Sequence, residues 1–66
     1  MSQYAICFDF PEAPDPWFAT QLRAGMGFTT SLVDAAKFGT QDIAERVLQN
    51  GYGTATREYA TVVEVA

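Results

Sequence analysis

Three carboxylates close together near the start of the sequence are the first residues whose spacing suggests chemistry. Asp9, Glu12 and Asp15 lie in the stretch DFPEAPDPW, residues 9–17, with three prolines and no basic side chain. Two acids can hydrolyse glycosides when they face one cleft and one of them has a raised pKa. Nothing in a proline-rich loop predicts that these acids lose contact with water. The stretch therefore predicts fixed negative charge rather than acid–base catalysis.

The other residue types that catalysis needs are absent or isolated. The chain has no histidine, so neither a Ser-His nor a Cys-His pair can form. Cys7 is the only cysteine, which excludes an internal disulfide and a Cys/His zinc site. The Gly-x-Gly pairs at 25–27 and 51–53 match no phosphate-binding pattern and predict turns, and TTS at 29–31 predicts a helix cap. We therefore predict a protein that is not an enzyme and binds no metal or cofactor.

Length and charge restrict the kind of partner. The 66 residues allow one domain, residues 1–66. Eight acids against four lysines and arginines give a net charge of −4, which repels phosphate and disfavours direct binding to nucleic acid. Such a charge suits a basic protein surface, including that of a nucleic-acid-binding protein. No apolar stretch approaches the roughly 20 residues of a membrane span, and no signal-peptide pattern is present. The sequence predicts an intracellular protein without membrane contact.

Alternation of apolar and polar residues predicts the strands. Residues 3–10 alternate with period two and should form a strand that ends at Pro11, because proline cannot donate to a sheet. Residues 17–22 predict a second strand, antiparallel to the first. Residues 57–66 alternate in the same way and predict the last strand. Residues 23–27 predict a turn between elements.

One helix is predicted after Thr40, which is a favourable N-cap residue. Asn50 and Gly51 are typical of a helix C-terminus. The apolar stripe of this helix comprises Ile43, Ala44, Val47 and Leu48. A helix of about ten residues does not persist alone in water, so it must pack on the sheet.

The remaining segments complete the predicted fold. Residues 28–39 fit no single period, and we expect a helical turn at 31–34 and an extended piece at 35–38. Residues 51–56 predict a loop. The predicted fold class is α+β, a small antiparallel sheet of three or four strands with one helix packed on one face, in the order β-β-α-β.

Six residues are candidates for contact with a partner: Asp9, Glu12, Asp15, Trp17, Asp34 and Glu45. The three loop acids rank first because prolines fix the shape of the loop that carries them. Trp17 is a typical interface anchor, and it also fits the role of the largest side chain of a small core; the sequence favours the core role and leaves both open. Each acid also has a second interpretation as a solvated charge that keeps a small protein soluble.

The residue order in the second half of the chain supports a resemblance to a known class of proteins. FTTSLVDAAKFGTQDIAERVL at 28–48 and EYATVVEV at 58–65 place a Phe-Thr segment, an Ala-x-x-Phe turn, a capped helix and a valine-rich strand in one order. This layout covers about half the chain and resembles small acidic phage and mobile-element proteins of the anti-CRISPR kind. The resemblance implies a stoichiometric inhibitor of a CRISPR–Cas effector, with type I complexes as the first candidates, that evades host defence in the bacterial cytoplasm.

The mechanism that this resemblance implies is DNA mimicry, in which carboxylates take the place of phosphates on the basic surface of an effector subunit. The alternative is a small structural or regulatory protein–protein interaction module. It would bind through apolar surface, either as a monomer or as a homodimer that uses an open sheet face or an edge strand. Salt separates the two hypotheses, because charge mimicry weakens as ionic strength rises and apolar association does not.

Overall fold

One four-stranded antiparallel sheet and one main helix form the fold. The computed structural model describes residues 2–20 and 27–65. In chain order the elements are β1 (Tyr4–Phe8), β2 (Trp17–Ala19), β3 (Phe28–Thr29), a 3₁₀ helix (Leu32–Asp34), α1 (Gln41–Gly51), α2 (Thr54–Arg57) and β4 (Ala60–Glu64). The strand order is β3-β2-β1-β4, and all neighbours are antiparallel. The predicted α+β class is confirmed.

The first strand is central because it pairs with a strand on each side. Along β4 its register runs from Tyr4 opposite Glu64 to Phe8 opposite Ala60. The predicted apolar face is confirmed, since Ile6 and Phe8 are fully buried on the face that meets α1, while Ala5 on the opposite face is fully buried as well. Burial of these side chains is the main hydrophobic contribution of the sheet to stability.

The observed strands are shorter than predicted. The strand predicted at 3–10 ends at Phe8, because the carbonyl of Phe10 accepts a hydrogen bond from the Ala13 N–H (3.1 Å) and starts a turn. The last strand occupies Ala60–Glu64 within the predicted range 57–66. Of the strand predicted at 17–22, residues 17–19 are confirmed, and positions 21 and 22 lie outside the described residues. Most of the turn predicted at 23–27 also lies outside them.

The segment from 28 to 39 contains three short pieces. Residues 28 and 29 form β3, which brings the number of strands in the sheet to four. A strand of two residues is too short to show a period in the sequence. The helical turn predicted near 31–34 is confirmed as the 3₁₀ helix. Phe38 then exchanges two backbone hydrogen bonds with Tyr4 (2.9 and 2.7 Å), so the predicted extended piece becomes a single bridge beside β1.

The helix begins where its sequence predicts. Thr40 is extended, and its Oγ1 accepts a hydrogen bond from the Ile43 N–H (3.2 Å), which satisfies one free helix donor. Ala44 and Leu48 are buried against the sheet. Ile43 is 49% exposed, so the buried stripe is narrower than predicted and follows Ala44 and Leu48.

The C-terminus of α1 is stabilised by hydrogen bonds from Arg57 and not by the predicted glycine stop. Gly51 is its last residue, but no described residue has a positive φ, so the helix does not end in a left-handed glycine. Instead Arg57 Nη1 donates to the main-chain oxygen of Gln49 (2.9 Å) and to its Oε1 (3.0 Å). A cation at this position also opposes the negative end of the helix dipole.

The loop predicted at 51–56 is wrong in its second half, where residues 54–57 form α2. This helix has one turn, too short to show a period in the sequence. Arg57 Nη2 donates to Thr54 Oγ1 (3.2 Å) across that turn, and Nη1 ties it to α1. Tertiary contacts of one arginine therefore stabilise a helix that local propensity alone does not predict.

Thr40→Ala tests the helix cap. The substitution removes the Oγ1 acceptor and should lower the free energy of unfolding by about 1 kcal/mol. Urea denaturation followed by circular dichroism measures this change. Thr40→Ser keeps the oxygen and should be close to the parent, and Thr30→Ala, at another exposed threonine, serves as the control. Equal stability of the parent and Thr40→Ala would show that the cap contributes nothing.

Candidate partner-binding surface

The acidic loop, residues 9–16, connects β1 to β2 and is fastened to the sheet at its start. The Asp9 N–H donates to the carbonyl oxygen of Tyr59 (2.9 Å), which extends the β1–β4 ladder by one residue. Pro11 then occupies the second position of the turn closed by Phe10 and Ala13. Hydrogen bonds and proline rings thus restrict the backbone that carries the acids.

Two aromatic contacts of Phe10 connect the acidic loop to the sheet. Phe10 stacks on the buried Phe8, with ring centroids 5.8 Å apart and planes 10° apart. Its other neighbour is Tyr59, whose ring meets it edge-on at 5.9 Å. Such pairs contribute roughly 0.5–1.5 kcal/mol each beyond area burial. Position 10 is therefore an anchor that holds the acidic loop over the end of the core.

Trp17 lies where both roles that the sequence left open are compatible with its position. It pairs with Phe8 at the start of β2, packs against the hydrophobic core and is half-buried. Part of the ring therefore contributes to the core, and part remains at the surface beside the acidic loop. A half-buried tryptophan next to charged residues is a common arrangement at protein interfaces. Its role as a contact residue stays a prediction.

The three loop acids are all exposed, and the fold adds a fourth acid that sequence spacing does not indicate. Glu58 is exposed and directly precedes Tyr59, the residue that accepts the hydrogen bond from Asp9. The β1–β4 register therefore brings Glu58 to the same end of the sheet as the loop. The position of Glu58 near the loop follows only from the pairing of β1 with β4, and local sequence patterns do not indicate that strand order. We call Asp9, Glu12, Asp15 and Glu58 the acidic end.

Among residues 2–20 and 27–65, no basic side chain forms an ion pair with the acidic end. Arg57 is next to Glu58 in the chain, but its guanidinium donates to Gln49 and Thr54. Lys37 Nζ donates to the carbonyl oxygens of Leu32 and Ala35. No ion pair joins two of the residues in 2–20 and 27–65, so the carboxylates there face solvent without a basic partner.

The other two predicted contact residues lie on separate elements. Asp34 is the exposed last residue of the 3₁₀ helix that follows β3. Glu45 is exposed on α1. Neither is part of the acidic loop. The structure therefore places Asp9, Glu12 and Asp15 on one connection, with Trp17 directly after it at the start of β2, and leaves Asp34 and Glu45 as independent surface charges.

Other kinds of site find no support in the described part of the chain. Within residues 2–20 and 27–65, no three Cys, Asp or Glu side chains come together to hold a metal ion. The same residues contain no helix with the length and apolar character to cross a membrane. Two open grooves run along the outer side of α1 and α2, and their lining is polar and charged: Asp42, Glu45, Arg46, Gln49, Asn50, Thr54, Arg57 and Glu58.

The pKa of the Cys7 thiol depends on its burial and on the charge of Asp9. Burial raises the pKa of this thiol above its ordinary value, and the negative charge of Asp9 raises it further. A raised pKa means that less thiolate is present at a given pH below the pKa, so Cys7 should react slowly with alkylating reagents.

Asp9→Asn should lower the pKa of Cys7 by the smaller, electrostatic part of its shift. At a fixed pH below that pKa, the variant therefore contains more thiolate and should react faster with iodoacetamide, and added salt should shrink the difference. Alkylation rates across pH 7–10, followed by mass spectrometry, measure the pKa in both proteins. Glu64→Gln, at the other end of β4, is the matched control and should leave the pKa of Cys7 at its parent value. Identical curves for parent and Asp9→Asn would contradict the prediction.

Comparison of the chain with protein-family models, with curated proteins and with solved structures finds no match.

Proposed function

We propose that this protein is an inhibitor of the anti-CRISPR kind, which binds a CRISPR–Cas effector complex stoichiometrically and blocks its DNA-binding surface. The observation that carries the proposal is the acidic end: four exposed carboxylates, on a loop fastened to the sheet and on the residue before Tyr59, with no ion-pair partner among residues 2–20 and 27–65. A surface of this kind suits Lys/Arg-rich protein surfaces that bind nucleic acid. The proposed site of action is the cytoplasm of the bacterial host.

The proposed mechanism is charge mimicry of DNA. Double-stranded DNA presents one charge per ~1.7 Å of its axis, so a competitor needs several acids on one surface. The acidic loop and Glu58 supply four, and Asp34 and Glu45 are further candidates on separate elements. The anchored backbone lowers the entropy lost on binding, because the loop is already held in one shape. Trp17 would add a buried aromatic contact beside the charges.

A functional assay tests the proposal directly. Bacteria with an active type I CRISPR–Cas system should again support phage plaques when this protein is expressed, and the protein should capture the effector complex at low salt. Capture should weaken strongly between 0.1 and 1 M salt, since the Debye length falls from about 10 to about 3 Å. Absence of plaques with every CRISPR–Cas type tested would exclude the proposed function.

The double variant Glu12→Lys/Asp15→Lys tests the acidic loop. Both side chains are exposed, so the fold should survive while capture of the effector falls by at least tenfold. Reversal of two acids raises the net charge by four, and a control must match that change. The control also raises the net charge by four, but at exposed positions at the opposite end of the sheet: Ser2→Lys/Gln3→Lys/Glu64→Lys.

The comparison of these two variants separates local from general electrostatics. Loss of capture in the loop variant alone supports the acidic loop as the contact. Equal loss in both variants means that net charge, and not the loop, governs binding. Full capture by the loop variant means that the acids of the loop make no contact. Thermal unfolding of each variant confirms that the fold is intact before binding is compared.

A second candidate function is an interaction module that binds through apolar surface. The observation that favours it is the pair of adjacent exposed apolar side chains in the 3₁₀ helix, Leu32 at 40% and Val33 at 88% exposure. Binding through these residues should persist in high salt. Val33→Asp should abolish the binding that persists in high salt. Capture of the effector through the acidic end, measured in dilute protein at low salt, should stay unchanged.

A further inference from the structure

The two edges of the sheet differ in how they are protected from pairing with another strand. The β3 edge is only two residues long, and a very short edge strand is one of the usual protections. The β4 edge has five residues, ATVVE, with no proline, no lysine and β-branched residues at its centre. None of the usual protections is present along the four residues 60–63, which leaves β4 open to strand addition.

The register with β1 shows which backbone groups of β4 are free. Val65 donates to Gln3 and Asp9 donates to Tyr59, so the odd-numbered residues of this strand are the ones that bond to β1. In an antiparallel ladder the alternate residues direct their N–H and C=O groups to the other side. Ala60, Val62 and Glu64 therefore present a donor and an acceptor each along the outer edge.

We propose that this edge pairs with the same edge of a second copy, antiparallel and centred on Val62. In that register Ala60 lies opposite Glu64 of the second copy, and Val62 lies opposite its own equivalent. Every outward N–H then meets an outward C=O, which makes about six intermolecular hydrogen bonds. No carboxylate is placed opposite another carboxylate. The two sheets become one of eight strands, and both α1 helices lie on the same face.

A second copy fits this edge better than an unrelated strand, because the pattern of free groups and charges is complementary to itself under a two-fold rotation. Isologous contacts of this type are the commonest way in which identical chains associate. One strand pair is smaller than a standard interface, so the dimer should form at high micromolar concentrations. Each copy carries a net charge of −4, and salt should therefore strengthen the dimer by screening this repulsion.

Sedimentation equilibrium of the full chain tests the dimer. We expect the average mass to rise from one chain to two between about 10 µM and 1 mM, and to rise earlier in 0.5 M than in 0.05 M salt. This salt dependence is opposite to that expected for capture through the acidic end, and the inference does not rest on the proposed function. A single-chain mass at every concentration and salt would overturn the proposal.

Val62→Pro removes the central outward donor while the ladder to β1 keeps its hydrogen bonds, because the Val62 N–H points away from β1. The variant should weaken dimerisation by at least tenfold. Val62→Ala loses side-chain packing but keeps the N–H, so it is the matched control and should still dimerise. Equal dimerisation of the two variants would mean that the contact lies elsewhere.

Disulfide trapping tests the register even if the proline variant does not fold. In the proposed dimer Thr61 lies opposite Val63 of the second copy in a non-hydrogen-bonded pair, with Cα atoms about 4.5 Å apart. With Cys7→Ser as background, a mixture of Thr61→Cys and Val63→Cys chains should form the mixed disulfide. Chains with Cys at 61 alone would place the thiols about 7–8 Å apart and should crosslink poorly. Crosslinking no faster than that of a Thr30→Cys control would overturn the register.

Discussion

Pairing of β1 with β4 is the interaction on which the rest of the structure depends. It joins residues near the two ends of the described chain, from Tyr4–Glu64 to Phe8–Ala60, and it creates the surface against which α1 packs. The pairing continues into the bond from Asp9 to Tyr59, which fixes the start of the acidic loop. Without it the loop would have no base, and Glu58 would not lie near it.

The core is small, and aromatic rings provide much of it. Phe8 contacts Phe10, Phe28 and Tyr52, with ring centroids between 5.2 and 5.8 Å. These contacts connect the loop, the edge strand β3 and the end of α1 through one side chain. A chain of this length buries a modest fraction of its surface, so one central ring supports several elements at once.

The elements with strong periodicity were predictable from the sequence, and those that depend on tertiary contacts were not. Alternation around Ile6 and the hydroxyl of Thr40 identified β1 and the start of α1. The two-residue strand β3 and the single turn of α2 have no local pattern, and they exist because β2 and Arg57 hold them. Similarly, sequence spacing identified the loop acids, but only the strand register adds Glu58 to them.

The Arg57 contact to Gln49 and the β1–β4 ladder have a consequence for synthesis of the protein. The central strand β1 is made before both helices, but its partner β4 follows them, and Arg57, which bonds to the end of α1, also comes later in the chain than α1. Contacts between residues so far apart in sequence form late, because the intervening chain must close on itself first. Until residues 60–64 have been synthesised, the β4 side of β1 stays unpaired, so the four-stranded sheet closes only after α1 and α2 have been made.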